Sequence, residues 1–316
     1  MHQTTIAVGG ENLIDIVDRD GEETALPGGS PFNVAMALGR QGAPVHYVSP
    51  ISTDHWGDML AAQLVGSGVV LSGGRRDQPT TLARVIVAGG IPSYRFERDG
   101  TAEREVSVDS LRAALPGGSV AIHTGSLTLT DGEDAAVWER FCAECFRQGA
   151  VCSLDPNVRL SVVEDPDAYR ARILRMAART HILKLSDEDL QGLFPTHSEA
   201  DAIQTLRAGA AVAVLILTRG ENGVSAWCRN DRLDLAVAAV PDLVDTVGAG
   251  DTFMATVLAG LAAQGLLTVE LLNNLTPSEL TPLLRRAMTA AAINCTRSGC
   301  NPPSLDELTD AMTEKT

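Results

Sequence analysis

The sequence lacks several strings that would assign it at once. No GxxxxGK[ST] occurs, which excludes the phosphate loop of Walker-type nucleotide-binding proteins, and the HRD and DFG strings of protein kinases are absent too. Basic residues are scarce: 25 Lys and Arg stand against 40 Asp and Glu, a formal net charge of -15. Such a surface repels phosphodiester backbones and anionic bilayers, so neither nucleic acid nor membrane is an expected partner. Any phosphate-bearing ligand must then be held by local backbone dipoles and a few placed cations.

Long hydrophobic runs are missing as well. The longest strongly apolar stretch, AGAAVAVLIL (208–217), is too short to span a bilayer, and the opening MHQTTIAVGG has no basic region followed by an apolar core. A cytoplasmic protein is the expectation. The six cysteines form no evident framework and fit reduced thiols. Cys142 and Cys145 make a CxxC, but VWERFCAECFRQG has helical spacing and no second CxxC follows at zinc-ribbon distance. What is present is core material, since 45% of the 316 residues are hydrophobic.

The first hundred residues interleave two themes. TTIAVGG reads as a strand, and NLIDIVDRDGEETAL as two short extended segments around an Asp20-Gly21 hairpin turn. SPFNVAMALGRQG reads as a helix stopped by Gly42, PVHYVSPIS as a strand and DHWGDMLAAQLVGSG as a helix; extended segments return at TLARVIVAG and SYRFERDG. The two strand pairs, at about 11–26 and 81–98, are expected to join into one small sheet apart from the main body. From Ser119 onward strands and helices alternate: SVAIHTGS, AVCSLDPN, HILKLS and AVAVLILTRG each precede a further element, the last of them ENGVSAWC. A last helix is expected after Leu305. Alternation of this kind predicts a parallel sheet covered on both faces, with ligands at the C-terminal ends of its strands.

The stretch DLVDTVGAGDTFMATVLAGL (242–261) sets an acid, Asp251, directly after the turn Gly248-Ala249-Gly250 and before an apolar helix. Asp251 has two readings, a helix N-cap or a general base beside an anion site made of main-chain N–H groups. A dinucleotide-binding reading has the first two glycines of GxGxxG and an acid, Glu270, about twenty residues on. Against it, Phe253 occupies the third glycine position, and VPDLVDT, with a proline and two acids, replaces the strand that should feed the turn.

At this point DTVGAGDTFMATVLAG and LPGGSPFNVAMALGRQG resemble the C- and N-terminal signatures of the ribokinase-like (PfkB) carbohydrate kinases. GENLID, FERDGTAE, HTGSLTL, SLDPNVR, KLSDEDL and LTRGENG resemble family landmarks in family order, several in the form typical of fructokinases. The resemblance covers essentially the whole chain. It implies a single doubly wound α/β domain, with a mainly parallel sheet, helices on both faces and a small β-sheet lid. It also implies transfer of the ATP γ-phosphoryl group to a sugar hydroxyl, fructose first, with 2-keto-3-deoxygluconate, another sugar or a nucleoside as alternatives. A sugar-binding regulatory protein is the non-enzymatic alternative.

The resemblance also implies roles. Asp251 matches the base, and Gly248, Ala249 and Gly250 the anion hole. Asp15, Gly28, Gly29 and Asn33 match the sugar site, to which Arg98 on the lid and Arg159 after DPN could add a cation. Asn157 and Lys184 fall at strand ends facing the phosphates, and Thr218, Gly220 and Gly223 match the nucleotide-side loop. In KLSDEDL, Ser186 and Asp189 replace the common Asn-x-x-Glu, so Asp189 is expected to reach Mg²⁺ only through water. Potassium, bound by carbonyls near Asp245 and TRSGCNPP, is a further implication; apart from the resemblance, an exposed apolar lid edge could pair two chains as a homodimer.

Overall fold

The computed structural model describes residues 4–19, 22–88, 91–118, 120–209, 211–237, 240 and 242–313. In chain order the strands are β1 (Thr5–Val8), β2 (Leu13–Arg19), β3 (Glu22–Gly28), β4 (Val45–Tyr47), β5 (Ile51–Ser52), β6 (Val70–Leu71), β7 (Arg75–Arg76) and β8 (Thr81–Ala88). They continue with β9 (Ile91–Glu97), β10 (Val120–Gly125), β11 (Val151–Asp155), β12 (Ile182–Ser186), β13 (Val214–Thr218), β14 (Val224–Cys228) and β15 (Asp231–Leu235). The helices are α1 (Ser30–Arg40), α2 (His55–Gly66), α3 (Val108–Ala114), α4 (Gly132–Arg147), α5 (Pro166–Ala177) and α6 (Asp187–Leu193). After them come α7 (Glu199–Ala208), α8 (Ala249–Ala263), α9 (Val269–Asn273), α10 (Pro277–Cys295) and α11 (Leu305–Thr313), the last of these being the helix expected after Leu305.

Nine strands form the main sheet in the order β15-β14-β13-β12-β11-β10-β1-β4-β6, parallel from β13 to β6. Its inner strands, from β14 to β4, are buried on both faces, so their side chains divide by parity. Ile6 and Val8 enter one core with α1, α2, α8 and α10, while Ala7 enters the other with α3 to α7; Ile216 and Leu217 divide in the same way. The fold is thus the expected doubly wound α/β layer structure.

The second sheet, ordered β3-β2-β8-β9, joins two antiparallel hairpins through a parallel β2–β8 pairing. Strand pairs distant in sequence therefore do meet in a small lid, as expected. The Asp20-Gly21 turn lies outside the described residues.

One expectation fails. ENGVSAWC does not continue the strand–helix alternation: β14 runs antiparallel to β13, and β15 antiparallel to β14. The reason is length. Only residues 219–223 separate β13 from β14, too few for a crossover to a parallel strand, so the chain turns back as a hairpin.

What positions the site is the packing of α8. Its AGDTFMATVLAGLAA is almost wholly buried, and its small residues let neighbours approach closely: a methyl group on Gly260 would lie 2.6 Å from Leu283 of α10. Held between α1 and α10, α8 cannot shift its first turn without disturbing the core.

Candidate active site

Two helix N-termini meet at the C-terminal edge of the main sheet. The N-cap of α8 is Gly248, which has φ 72 and no side-chain cap; a methyl group there would also lie 2.3 Å from Cys300 Sγ. Glycine is required twice over at this position. Asp251 does not cap the helix. Its Oδ1 accepts a hydrogen bond from Ser30 Oγ (2.6 Å) and its Oδ2 from Asn33 Nδ2 (2.8 Å), both in the first turn of α1. The capping reading of the GAGD stretch therefore does not describe this carboxylate, which is fixed from two sides at 6% exposure. Burial pushes its pKa above the ordinary carboxylate value, while the Ser30 and Asn33 hydrogen bonds and the charges of Lys184 and Arg159 pull it back.

Beside this acid lie unused donors. Among the described residues the amides of Gly248, Gly250 and Asp251 take no main-chain acceptor, whereas Ala249 N donates to Thr246 O at 3.2 Å. Of the expected trio Gly248, Ala249 and Gly250, the amide of Ala249 is thus engaged, while that of Asp251 takes no main-chain acceptor. Lys184, one of only two lysines in the chain, completes the positive corner. Its Nζ is 2.6 Å from Asp155 Oδ2, and a methyl group on Gly250 would come within 3.0 Å of it. Burial works against the Lys184 ammonium, but Asp155, Asp189 and Asp251 outweigh it and raise its pKa. Burial pushes Asp155 up to about 6, with Lys184 opposing. A fixed positive charge therefore sits beside Gly250 in a chain that is acidic overall.

On the lid side, Asp15 on β2 pairs across the sheet with Leu26 and Ala83. Burial alone pushes its carboxyl up to about 6. The two glycines next to it are needed for different reasons. A methyl group on Gly28 would sit 2.5 Å from Asp15 Oδ2, so bare Gly28 makes room for that carboxylate. Gly29 has φ 107 and would press a methyl group to 2.5 Å from the Glu11 carbonyl oxygen.

Arg98, expected on the lid, lies just past the end of β9 and is buried. Its Nε is 3.2 Å from Glu103 and its Nη1 3.3 Å from Thr130 Oγ1, while Nη2 has no partner. Arg159 is exposed and donates to Val158 O at 3.0 Å. Asn157, between Asp155 and Arg159, holds φ 41, an uncommon conformation for a residue with a side chain.

On the far side of Lys184, Thr218 ends β13 with its Oγ1 3.4 Å from Leu185 O, and Gly220 and Gly223 form the turn into β14. Asp189 is buried and committed to the main chain: Oδ1 accepts from Val158 N (2.6 Å) and Oδ2 from Ser186 N (2.8 Å). With Ser186 it forms a capping box at the start of α6.

The structure adds Ser30, Asp155, Glu11 and Cys300 to the neighbourhood. Ser30 and Asp155 stood inside GGSPFN and DPN, and the preference of Ser for helix starts was the available signal. Glu11 stood inside GENLID and Cys300 inside TRSGCNPP, but neither segment showed what its side chain meets, because those contacts are tertiary.

A buried carboxylate, unused amides at a helix start and a lysine between them are the parts of a phosphotransferase with an alcohol acceptor. The comparisons agree. The model of the pfkB family carbohydrate kinases matches residues 5–307, and the chain belongs to that family. It is 36% identical over 267 residues to a fructokinase from Rhizobium leguminosarum bv. trifolii, covering 82% of this chain and 80% of that one. A fructokinase from Xylella fastidiosa, solved with bound ATP, superposes with a TM-score of 0.88 at 27% identity and 99% coverage of both chains. Aminoimidazole riboside kinase from Salmonella enterica, complexed with its riboside and an ATP analogue, shares the fold, with a TM-score of 0.83, 22% identity and 98% and 100% coverage.

Proposed function

We propose that the chain transfers the γ-phosphoryl group of ATP to a hydroxyl of fructose. The observation that carries this reading is the contact set around Asp251: a buried base fixed by Ser30 and Asn33, with the unused amides of Gly250 and Asp251 and the Lys184 ammonium beside it. Asp251 takes the hydroxyl proton as the sugar oxygen forms its bond to the γ-phosphorus, while the bond from that phosphorus to the oxygen of departing ADP breaks. The amides and Lys184 hold the charge on the transferring group. Asn33 Oδ1, buried without a partner, is an acceptor suited to a sugar hydroxyl, and the Asp15 carboxylate supplies two more acceptor oxygens. Asn157 and the turn Thr218 to Gly223 are assigned to the nucleotide.

Among the described residues no group of three or more His, Cys, Asp or Glu is placed to hold a metal ion. Mg²⁺ keeps several waters and leans on substrate phosphates. Asp155 Oδ1, buried and unpartnered, is the oxygen free to accept from such a water, with Asp189 left to its remaining lone pairs. Bound Mg²⁺ would neutralise charge on the β- and γ-phosphates. Potassium belongs to the same proposal: Asp245 accepts the amides of Val247 and Gly299 and so ties together the two carbonyl-bearing loops in question. A homodimer through the lid edges, β3 and β9, completes it.

Arg98 favours a neutral sugar, because Glu103 already pairs with its charge. Exposed Arg159 favours the second reading, an acidic sugar such as 2-keto-3-deoxygluconate. The test is ADP formation with ATP and Mg²⁺ across a panel of sugars, sugar acids and nucleosides. Fructose is expected to give the largest signal. A signal from another acceptor with none from fructose overturns the substrate assignment, and silence across the panel overturns the reading of the site.

A further inference from the structure

Glu11 lies deeper than Asp251 or Asp15, at 1% exposure, and its carboxylate joins separate parts of the chain. It follows β1, in the loop that leads to the lid. Its Oε1 accepts from Ser30 N at 3.0 Å and its Oε2 from Thr128 N at 3.2 Å; the Ser126 hydroxyl also donates to it. Ser30 is the first residue of α1. Ordinarily the N-cap side chain satisfies the amides of the first turn, but the N-cap here is Gly29, which has no side chain. Glu11 takes up one of these amides from another loop, and its own carbonyl oxygen blocks any larger residue at position 29.

The same Ser30 whose amide is held by Glu11 donates its hydroxyl to Asp251 Oδ1. Glu11, Ser30 and Asp251 thus form a continuous buried relay from the loop after β1, through the start of α1, to the start of α8. Thr128, in the turn after β10, anchors the other oxygen. We propose that Glu11 is a positioning residue for the phosphoryl-transfer step: by fixing the first turn of α1 it sets the place and orientation of the Asp251 carboxylate. The proposal rests on Asp251 being the base.

The surroundings of Glu11 agree with a fixed, load-sharing acid. Arg98 and Glu103 from the segment after the lid, Tyr47 from β4 and Tyr169 from α5 lie near enough to interact with its charge. Burial pushes its carboxyl up to about 7; Glu103 adds to this, while Arg98, the Ser126 hydroxyl and main-chain hydrogen bonding oppose it. A glutamine there keeps size and shape but turns an NH₂ group toward one of the two amides. An aspartate keeps both acceptors on a shorter arm.

The test is steady-state kinetics of Glu11→Gln, Glu11→Asp, Ser30→Ala and the double variant Glu11→Gln/Ser30→Ala, with the panel's best sugar, and Asp251→Asn alongside. Glu11→Gln is expected to lower kcat at least about tenfold, the scale of an ångström-sized displacement of a reacting group, with KM for sugar and ATP within about threefold. Glu11→Asp should recover part of that loss. Because Glu11 acts through Ser30, the double variant should be no slower than the slower single variant. Wild-type kcat in Glu11→Gln, a change confined to KM or to thermal stability, or multiplicative losses in the double variant would overturn the proposal. Near-normal turnover in Asp251→Asn would instead overturn the assignment of the base, which keeps the two failures distinct.

Discussion

The two acids of the proposed site, one on the main body and one on the lid, are treated in opposite ways by the chain around them. Asp251, at the body end, is held by two side-chain donors, flanked by unused amides and neighboured by a lysine. Asp15, at the lid end, is backed by a bare glycine, and burial alone shifts its pKa. A group that must meet one hydroxyl at one moment needs a fixed direction, and α8, packed on α1 and α10, supplies it. A group that only binds can leave its acceptors unfilled until hydroxyls arrive, at some cost in the free protein that a ligand offsets. In the proposed function the body end serves the chemistry and the lid end the capture of the sugar.

The contrast can be broken most severely at Lys184. Lys184→Met leaves Asp155 buried without its cation and should destabilise the protein by about 3–5 kcal/mol, read by denaturant unfolding, together with loss of measurable turnover. Unchanged stability would mean that the pair is not buried as described. Next, Gly29→Ala, strained at φ 107 and pressed on the Glu11 carbonyl, should cost about 1–3 kcal/mol in the same measurement. Gly28→Ala is milder, because what its methyl group meets is the end of the Asp15 side chain. It should raise KM for the sugar about tenfold, the scale of one charge-assisted hydrogen bond, at nearly constant kcat. A fall in kcat instead would assign Asp15 to the chemical step.

The smallest effect is a pH dependence. Asp15 accepts hydroxyl hydrogens on both oxygens only as the carboxylate, and its pKa lies at about 6, so protonation below that value removes acceptor capacity. KM for the sugar should rise several-fold as pH falls from about 7.5 to about 5, and this rise should vanish in Asp15→Asn. A rise that persists in Asp15→Asn would move its origin to another group.

Much of this was legible beforehand because the signals were local. Turn glycines, helix starts and alternating apolar strands lie within a few residues of one another in DTVGAGDTF, GGSPFN and SLDPN, so the layers, the lid and the position of Asp251 could be read directly. What could not be read was set by contacts distant in sequence. That Gly28 faces Asp15, that Arg98 turns inward to Glu103, and that Asp189 spends both oxygens on Val158 and Ser186 all depend on which loops share an edge of the sheet. The β13–β14 hairpin is a different case: the shortness of residues 219–223 was visible, but the surrounding alternation outweighed it.

The central claim is that position 251 performs the chemistry and position 15 the binding. Its most direct test is a paired measurement of kcat and KM for the responding sugar in Asp251→Asn and Asp15→Asn. The first should lose at least about a hundredfold in kcat with KM within about threefold, and the second should raise KM at least about tenfold with kcat within about threefold. Near-normal turnover in Asp251→Asn, or the same kinetic parameter failing in both variants, would contradict it.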